Sequence, residues 1–141
     1  MPIYADPPDQ PPGAVAIVQR YYEAINAGRM DDAFACLATD VVQEEFPNRL
    51  VPNGVVRDME ALRDAWSRGR TVIGTQQFVL TRVLAFGATV VVEAEWTGTV
   101  ARDAGPFREG QRLRARFAQF LDFDADNRIR AIRNYDCFDP W

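Results

Sequence analysis

The sequence contains no histidine. That excludes Ser–His–Asp triads, imidazole metal ligands and imidazole acid–base chemistry. It contains no lysine either, so there is no side-chain amine for Schiff-base chemistry. Any proton transfer must fall to Asp, Glu, Tyr or Cys. Only two cysteines occur, Cys36 and Cys137, far apart and without a CxxC pair; reduced, buried thiols are expected. No apolar run is long enough to span a membrane. No charged start leading into an apolar stretch marks a secretory leader. A cytoplasmic protein without membrane contact is therefore expected. All 16 basic residues are arginine, the net charge is −4 and no basic tract is present. Nucleic acid, which wants a clustered positive footprint, is not an expected partner.

What is present fits one domain with one core: 141 residues, 48% of them hydrophobic. Residues 1–13, "MPIYADPPDQPPG", read as a flexible or extended arm, with packing across a partner subunit as the alternative. The domain is expected over residues 14–141. From Ala14 the pattern is helical: Val15, Val18, Tyr22 and Ile25 recur on one row, Ile17, Tyr21 and Ala24 on the next. Gly28 suits a helix C-terminus. A second short helix fits Met30 to Ala38, with Phe34 and Leu37 inward. "DVVQEEF" is a short strand closed by Pro47, and "NRLVPNGVV" a loop or hairpin turning at Asn53-Gly54. Asp58 can cap a third helix, Met59 to about Arg68, with Leu62, Ala65 and Trp66 on one face and Gly69 at its end. Four strand-like segments follow: "TQQFVLTRVLAF", "ATVVVEAEWTGTV", "QRLRARFAQFLDF" and "RIRAIRNYDCF". Helices first and an antiparallel meander after them make an α+β domain.

Alternation sorts the strands into two faces. One carries Glu93, Glu95, Arg114, Arg116 and Arg133. It is either a solvated charged face, with cross-strand pairs contributing roughly 0.2–1 kcal/mol each, or a dimer interface built on arginine ion pairs. The other face is apolar (Val90, Val92, Phe117, Leu121, Ile132) except for Gln119, Asn134 and Asp136. A fully covered Asp136 would be costly unless hydrogen-bonded or neutral, and a pocket between sheet and helices is the natural way to hold such groups. Cys137 alternates outward.

Three stretches, "VQRYYEAINAGRMDDAFACLATDVVQEEFP", "VVVEAEWTGT" and "FLDFDADNRIRAIRNYDCF", resemble in order and spacing the nuclear transport factor 2-like superfamily, most closely its SnoaL-like group and the ketosteroid isomerases. The resemblance implies a cone-shaped (cystatin-like) α+β barrel, in which a curved, mostly antiparallel sheet wraps a long N-terminal helix and a pocket opens at the wide end. It also implies a homodimer through the outer sheet face. Set against the isomerase motif, "QRY" puts Tyr21 where an enolate oxygen is held, and "DVVQE" puts Glu45 where the general base stands. Gln119 matches the second oxyanion donor and Trp66 a pocket tyrosine. Set against limonene epoxide hydrolase, Asn134 stands where an acid–base Asp is used, and Val90 and Val92 face inward where an Arg–Asp pair would lie. Epoxide hydrolysis by that triad is therefore not expected.

These carry-overs define the candidates. Glu45, Tyr21 and Asp136 are catalytic candidates; Gln119, Asn134, Trp66, Phe34, Val90, Val92, Phe117 and Ile132 are substrate-binding candidates. One of Tyr21 and Tyr22 is expected to be ordinary core. Glu45 in an apolar pocket would have a raised pKa, suiting a general base. Asp136 either serves catalysis or is held structurally by backbone or arginine. The terminal "FDPW" is expected to pack at a pocket rim or a dimer seam. The leading expectation is an isomerase, cyclase or dehydratase that abstracts a proton next to the carbonyl of a small hydrophobic molecule, with no metal and no cofactor. The alternatives are a non-catalytic small-molecule binder of the same fold and a dimerisation adaptor with a filled cone.

Overall fold

Residues Arg112–Phe123 show most plainly how the chain folds. Every second side chain, Leu113, Ala115, Phe117, Gln119, Leu121 and Phe123, is buried, and the residues between them face outward. Period-2 burial of this kind makes a half-covered strand, β5. The computed structural model describes residues 13–141, so the arm expected over residues 1–13 lies outside the described residues except for Gly13.

Three helices, α1 (Ala14–Asn26), α2 (Met30–Ala35) and α3 (Met59–Val72), accompany six strands: β1 (Leu37–Glu45), β2 (Val55–Arg57), β3 (Ile73–Phe86), β4 (Thr89–Val100), β5 and β6 (Ile129–Phe138). The strands form one curved sheet in the order β2-β1-β6-β5-β4-β3. All neighbours run antiparallel except β1 and β6. The α+β cone of the nuclear transport factor 2-like fold is thus the observed architecture.

Leu37, Leu121, Ile129 and Ile132 are the largest fully buried side chains. Each contributes roughly 1.5–3 kcal/mol by leaving water. Val18 and Tyr22 of α1 pack with Val90, Val92, Leu121 and Ile132 in the same core. Here α1 meets the sheet directly.

Several boundaries differ from the sequence expectation, among them the start of β1 at Leu37 instead of Asp40. α2 stops at Ala35 instead of Ala38, because the Cys36 carbonyl accepts from Ile129 N at 3.0 Å and Leu37 pairs with Ile129 of β6. Strand pairing captures residues whose local pattern is helical. α3 runs through Gly69 to Val72. β3 starts at Ile73, two residues early. The expected cap does form, with Asp58 accepting from Ala61 N at 2.9 Å.

The outer sheet face carries the expected charges in pairs: Arg114 to Glu95 at 3.1 Å, Arg82 to Glu93 at 3.7 Å and Arg133 to Asp122 at 2.7 Å. Apolar groups lie among them: Val42, Val79, Leu84 and Tyr135 are exposed. Cys137 is exposed as well, contrary to the expectation of two buried thiols. Its strand position points away from the core, and only Cys36 is buried.

Candidate functional site

α3 has an apolar face but no fully buried residue. Leu62, Ala65 and Trp66 look onto a cavity of about 440 Å³. α1 supplies Tyr21 and Tyr22 to this cavity, α2 contributes Phe34, and the inner sheet face adds Phe117, Gln119, Asn134 and Asp136. Glu45, at the end of β1, lines it too. A 440 Å³ space falls within the range of small-molecule pockets, and its polar groups converge from five strands and α1.

The structure thus brings together Glu45, Tyr21, Asp136, Gln119, Asn134, Trp66, Phe34 and Phe117. It does not bring Val90, Val92 or Ile132 to the cavity wall. These three are packed in the core with Val18 and Tyr22. Alternation assigned them to the inner face correctly, but there the inner face meets α1 and not open space.

Glu45 lines the cavity, but polar partners engage its carboxylate. Its Oε2 accepts from Arg57 Nη1 at 2.8 Å and its Oε1 from Asn48 Nδ2 at 3.0 Å. β2 makes this clamp possible, because Glu45 pairs with Val55 and Gln43 with Arg57. The hairpin loop is held close at Gly54, whose φ is +68° and whose missing Cβ would lie 2.9 Å from the Glu45 carbonyl oxygen. Only glycine accepts both conditions easily.

Asp136 is the carboxyl whose pKa is raised, to about 7. Burial is the largest cause, followed by the charge of Glu45 and a hydrogen bond shared with it. A hydrogen bond from Asn134 and the charge of Arg57 act in the opposite direction. Its Oδ1 is buried without a hydrogen-bond partner among the described residues. A structural carboxylate would have both oxygens satisfied.

Both tyrosines reach the cavity wall, and they differ in burial. Tyr22 is almost fully buried and its hydroxyl donates to Gln119 Oε1. That bond turns the Gln119 amide N–H groups away from Tyr22. Tyr21 is half-buried and packs edge-on against Tyr22. Burial pushes both hydroxyls well above their ordinary pKa, so both stay protonated.

Trp96 Nε1 donates to Gln76 Oε1 at 2.9 Å, fixing one wall. Trp141 packs edge-on against Phe107 and Phe138, both of which line the cavity. Arg49 lies over its ring at 4.3 Å and donates to its carbonyl. The terminal segment therefore sits at the cavity rim.

Sequence reasoning missed Arg57, Gln43 and Asn48. Gln43 was findable, since it lies two residues before Glu45 and shares its face. Arg57 stands in a three-residue strand with no pattern of its own. Among the described residues no group of three or more Cys, Asp or Glu is placed to hold a metal ion, and no helix is long and apolar enough to cross a membrane.

A family profile described as a SnoaL-like domain matches residues 18–132. Among solved structures, the chain is similar to IdmH of Streptomyces antibioticus, a candidate polyketide cyclase (18% identity, TM-score 0.74, covering 87% of this chain and 91% of that one). It is similar to an LEH-like epoxide hydrolase from M. tuberculosis (21% identity, TM-score 0.68, 88% and 82%). A third is a protein of ketosteroid isomerase-like fold from Catenulispora acidiphila, in complex with trimethylamine (16% identity, TM-score 0.67, 90% and 86%). Identities this low show a shared fold. No curated protein matches the sequence.

Proposed function

The chain belongs to the SnoaL-like domain family, and from that premise we propose that it is a cofactor-free enzyme moving a proton next to the carbonyl of a small hydrophobic molecule. The observation that carries the reading is the pair of carboxyls, Glu45 and Asp136, on the wall of an aromatic cavity, one clamped by an arginine and the other with an unpartnered buried oxygen. Two neighbouring carboxyls in unlike surroundings are how one site can hold an acid and a base at the same pH. Glu45 accepts the proton from carbon. Tyr21 and the free end of the Gln119 amide donate to the developing enolate oxygen. Asp136, neutral below about pH 7, returns a proton, and the pair resets by proton exchange between its members. Trp66, Phe34 and Phe117 grip the apolar body. Isomerisation, aldol-type cyclisation and dehydration all use these steps.

The polyketide cyclase assignment of one structural neighbour agrees with this class of chemistry. Glu45→Gln is expected to abolish turnover of any substrate while leaving the fold intact, and full activity in that variant would sink the mechanism. A second reading, binding without catalysis, is favoured by the engagement of both Glu45 oxygens by Arg57 and Asn48. A library of carbonyl compounds screened in parallel by thermal shift and by turnover separates the two, since stabilisation without product favours binding alone. The open cavity speaks against an adaptor with a filled cone.

We also propose that two copies meet through the outer sheet face, where Glu93, Glu95, Arg114, Arg116 and Arg133 surround exposed Leu84 and Tyr135. Sedimentation of the protein and of Tyr135→Glu tests it: a dimer lost in the variant is expected, and an unchanged mass refutes this contact. A cytoplasmic setting suits the two free thiols.

A further inference from the structure

Arg57 lies at the edge of the sheet on β2, directly across from Gln43 in register. Its Nη1 donates twice, to Glu45 Oε2 at 2.8 Å and to Gln43 Oε1 at 3.2 Å. With its carbonyl turned to Arg57, Gln43 presents its NH₂ to Asn134, and Nε2 donates to Asn134 Oδ1 at 3.4 Å. With that carbonyl occupied, the NH₂ of Asn134 is the end left for Asp136, where its hydrogen bond favours the charged carboxylate. The orientation of two amides therefore follows from one cation.

We propose that Arg57 is a positioning residue that separates two adjacent carboxyls into unlike roles, fixing Glu45 as the acceptor by direct contact and tuning Asp136 as the donor through the Gln43–Asn134 amide chain. For its catalytic meaning this rests on the proton-transfer reading of the cavity. The arrangement itself can be tested without any substrate.

The groups facing Asp136 come from four elements. Glu45 of β1 and Arg57 of β2 bear charge, Asn134 of its own strand donates, and Tyr22 of α1 is close enough to feel its charge. α3 turns Leu62, Ala65 and Trp66 to the same space. Removing Arg57 deletes the one cation of this set and frees both amides to rotate. Both changes disfavour the Asp136 carboxylate, so its pKa is expected to rise.

The test is a pH titration of side-chain carboxyl ¹³C signals in the ligand-free protein, with Asp136→Asn used for assignment and circular dichroism to confirm folding. In the wild type the Asp136 signal is expected to titrate near 7. In Arg57→Met its midpoint is expected to rise. Arg57→Lys is expected to fall between, since an ammonium keeps the charge but lacks the planar fork that reaches both Gln43 and Glu45. An unchanged midpoint in folded Arg57→Met overturns the proposal. If that variant does not fold, Gln43→Leu is read instead: it cuts the amide chain and leaves the ion pair, so an upward shift supports the proposal and an unchanged midpoint overturns it. Failure of the enzymatic reading would appear separately, as absence of turnover in a protein whose Asp136 still titrates as described.

Discussion

Replacing Asp136 by asparagine is expected to stabilise the protein at neutral and alkaline pH. The native carboxyl has its pKa raised from the ordinary 3.8 to about 7, first by burial and then by the Glu45 charge. Between those two values the native state holds a proton that the unfolded chain releases. Stability therefore falls as pH rises through that window and levels off above about pH 7. At about 1.4 kcal/mol per tenfold change in proton affinity, the full cost is roughly 4 kcal/mol. Partial exposure of the side chain lowers a realistic figure to about 2–3 kcal/mol. Asparagine has nearly the same shape and no charge, so it escapes the cost. Urea unfolding of both proteins from pH 4 to pH 9 measures the difference, in which titrating groups that do not interact with Asp136 cancel. The expected curves coincide near pH 4, separate through pH 7 and run parallel above it, with the variant more stable by about 2–3 kcal/mol, or on the order of 10 °C in Tm. A difference independent of pH, or a variant less stable at pH 8, would refute the assignment of Asp136 as a buried cavity carboxyl with an unsatisfied oxygen.

Two further outcomes are expected. A Cβ on Gly98 would come 2.6 Å from the Trp96 ring and 3.1 Å from Ile73; Gly98→Ala should therefore cost about 1–3 kcal/mol and displace Trp96 from Gln76, seen as changed near-ultraviolet circular dichroism, whereas an unaltered spectrum would contradict that packing. Cys137 is exposed and Cys36 buried, with burial raising the Cys36 pKa; an aromatic disulfide reagent at pH 8 should label Cys137 in the native protein and reach Cys36 only on unfolding, and equal labelling rates would contradict the fold around α2.

The inner and outer faces of β4, β5 and β6 were legible because each strand is covered on one side, which leaves strict alternation in the sequence. That alternation also singled out Gln119, Asn134 and Asp136 as polar groups on an apolar face, and the helix spacing placed Tyr21 beside Tyr22. Three kinds of feature were not legible. The end of α2 depends on a partner strand more than ninety positions away, Leu37 against Ile129, and local propensity carries no record of it. Val90, Val92 and Ile132 differ from Phe117 and Asn134 only in what lies above them, α1 in one case and open space in the other; periodicity gives the face and not its cover. Arg57 sits in a strand too short to have a period, and its importance comes from hairpin register, which pairs it with Gln43 and brings it to Glu45.

The central claim is that Glu45 and Asp136 move protons to and from carbon inside the cavity. Solvent exchange measures this without knowledge of the physiological substrate. A panel of hydrophobic ketones and β-dicarbonyl compounds is incubated in D₂O, and loss of the proton next to the carbonyl is followed by ¹H NMR for the wild type, Glu45→Gln and Asp136→Asn. The account predicts exchange of at least one compound well above the buffer rate in the wild type, its loss in Glu45→Gln, and a drop of about 10²-fold or more in Asp136→Asn. A compound that stabilises the protein and occupies the cavity yet exchanges at the buffer rate in all three proteins would contradict it.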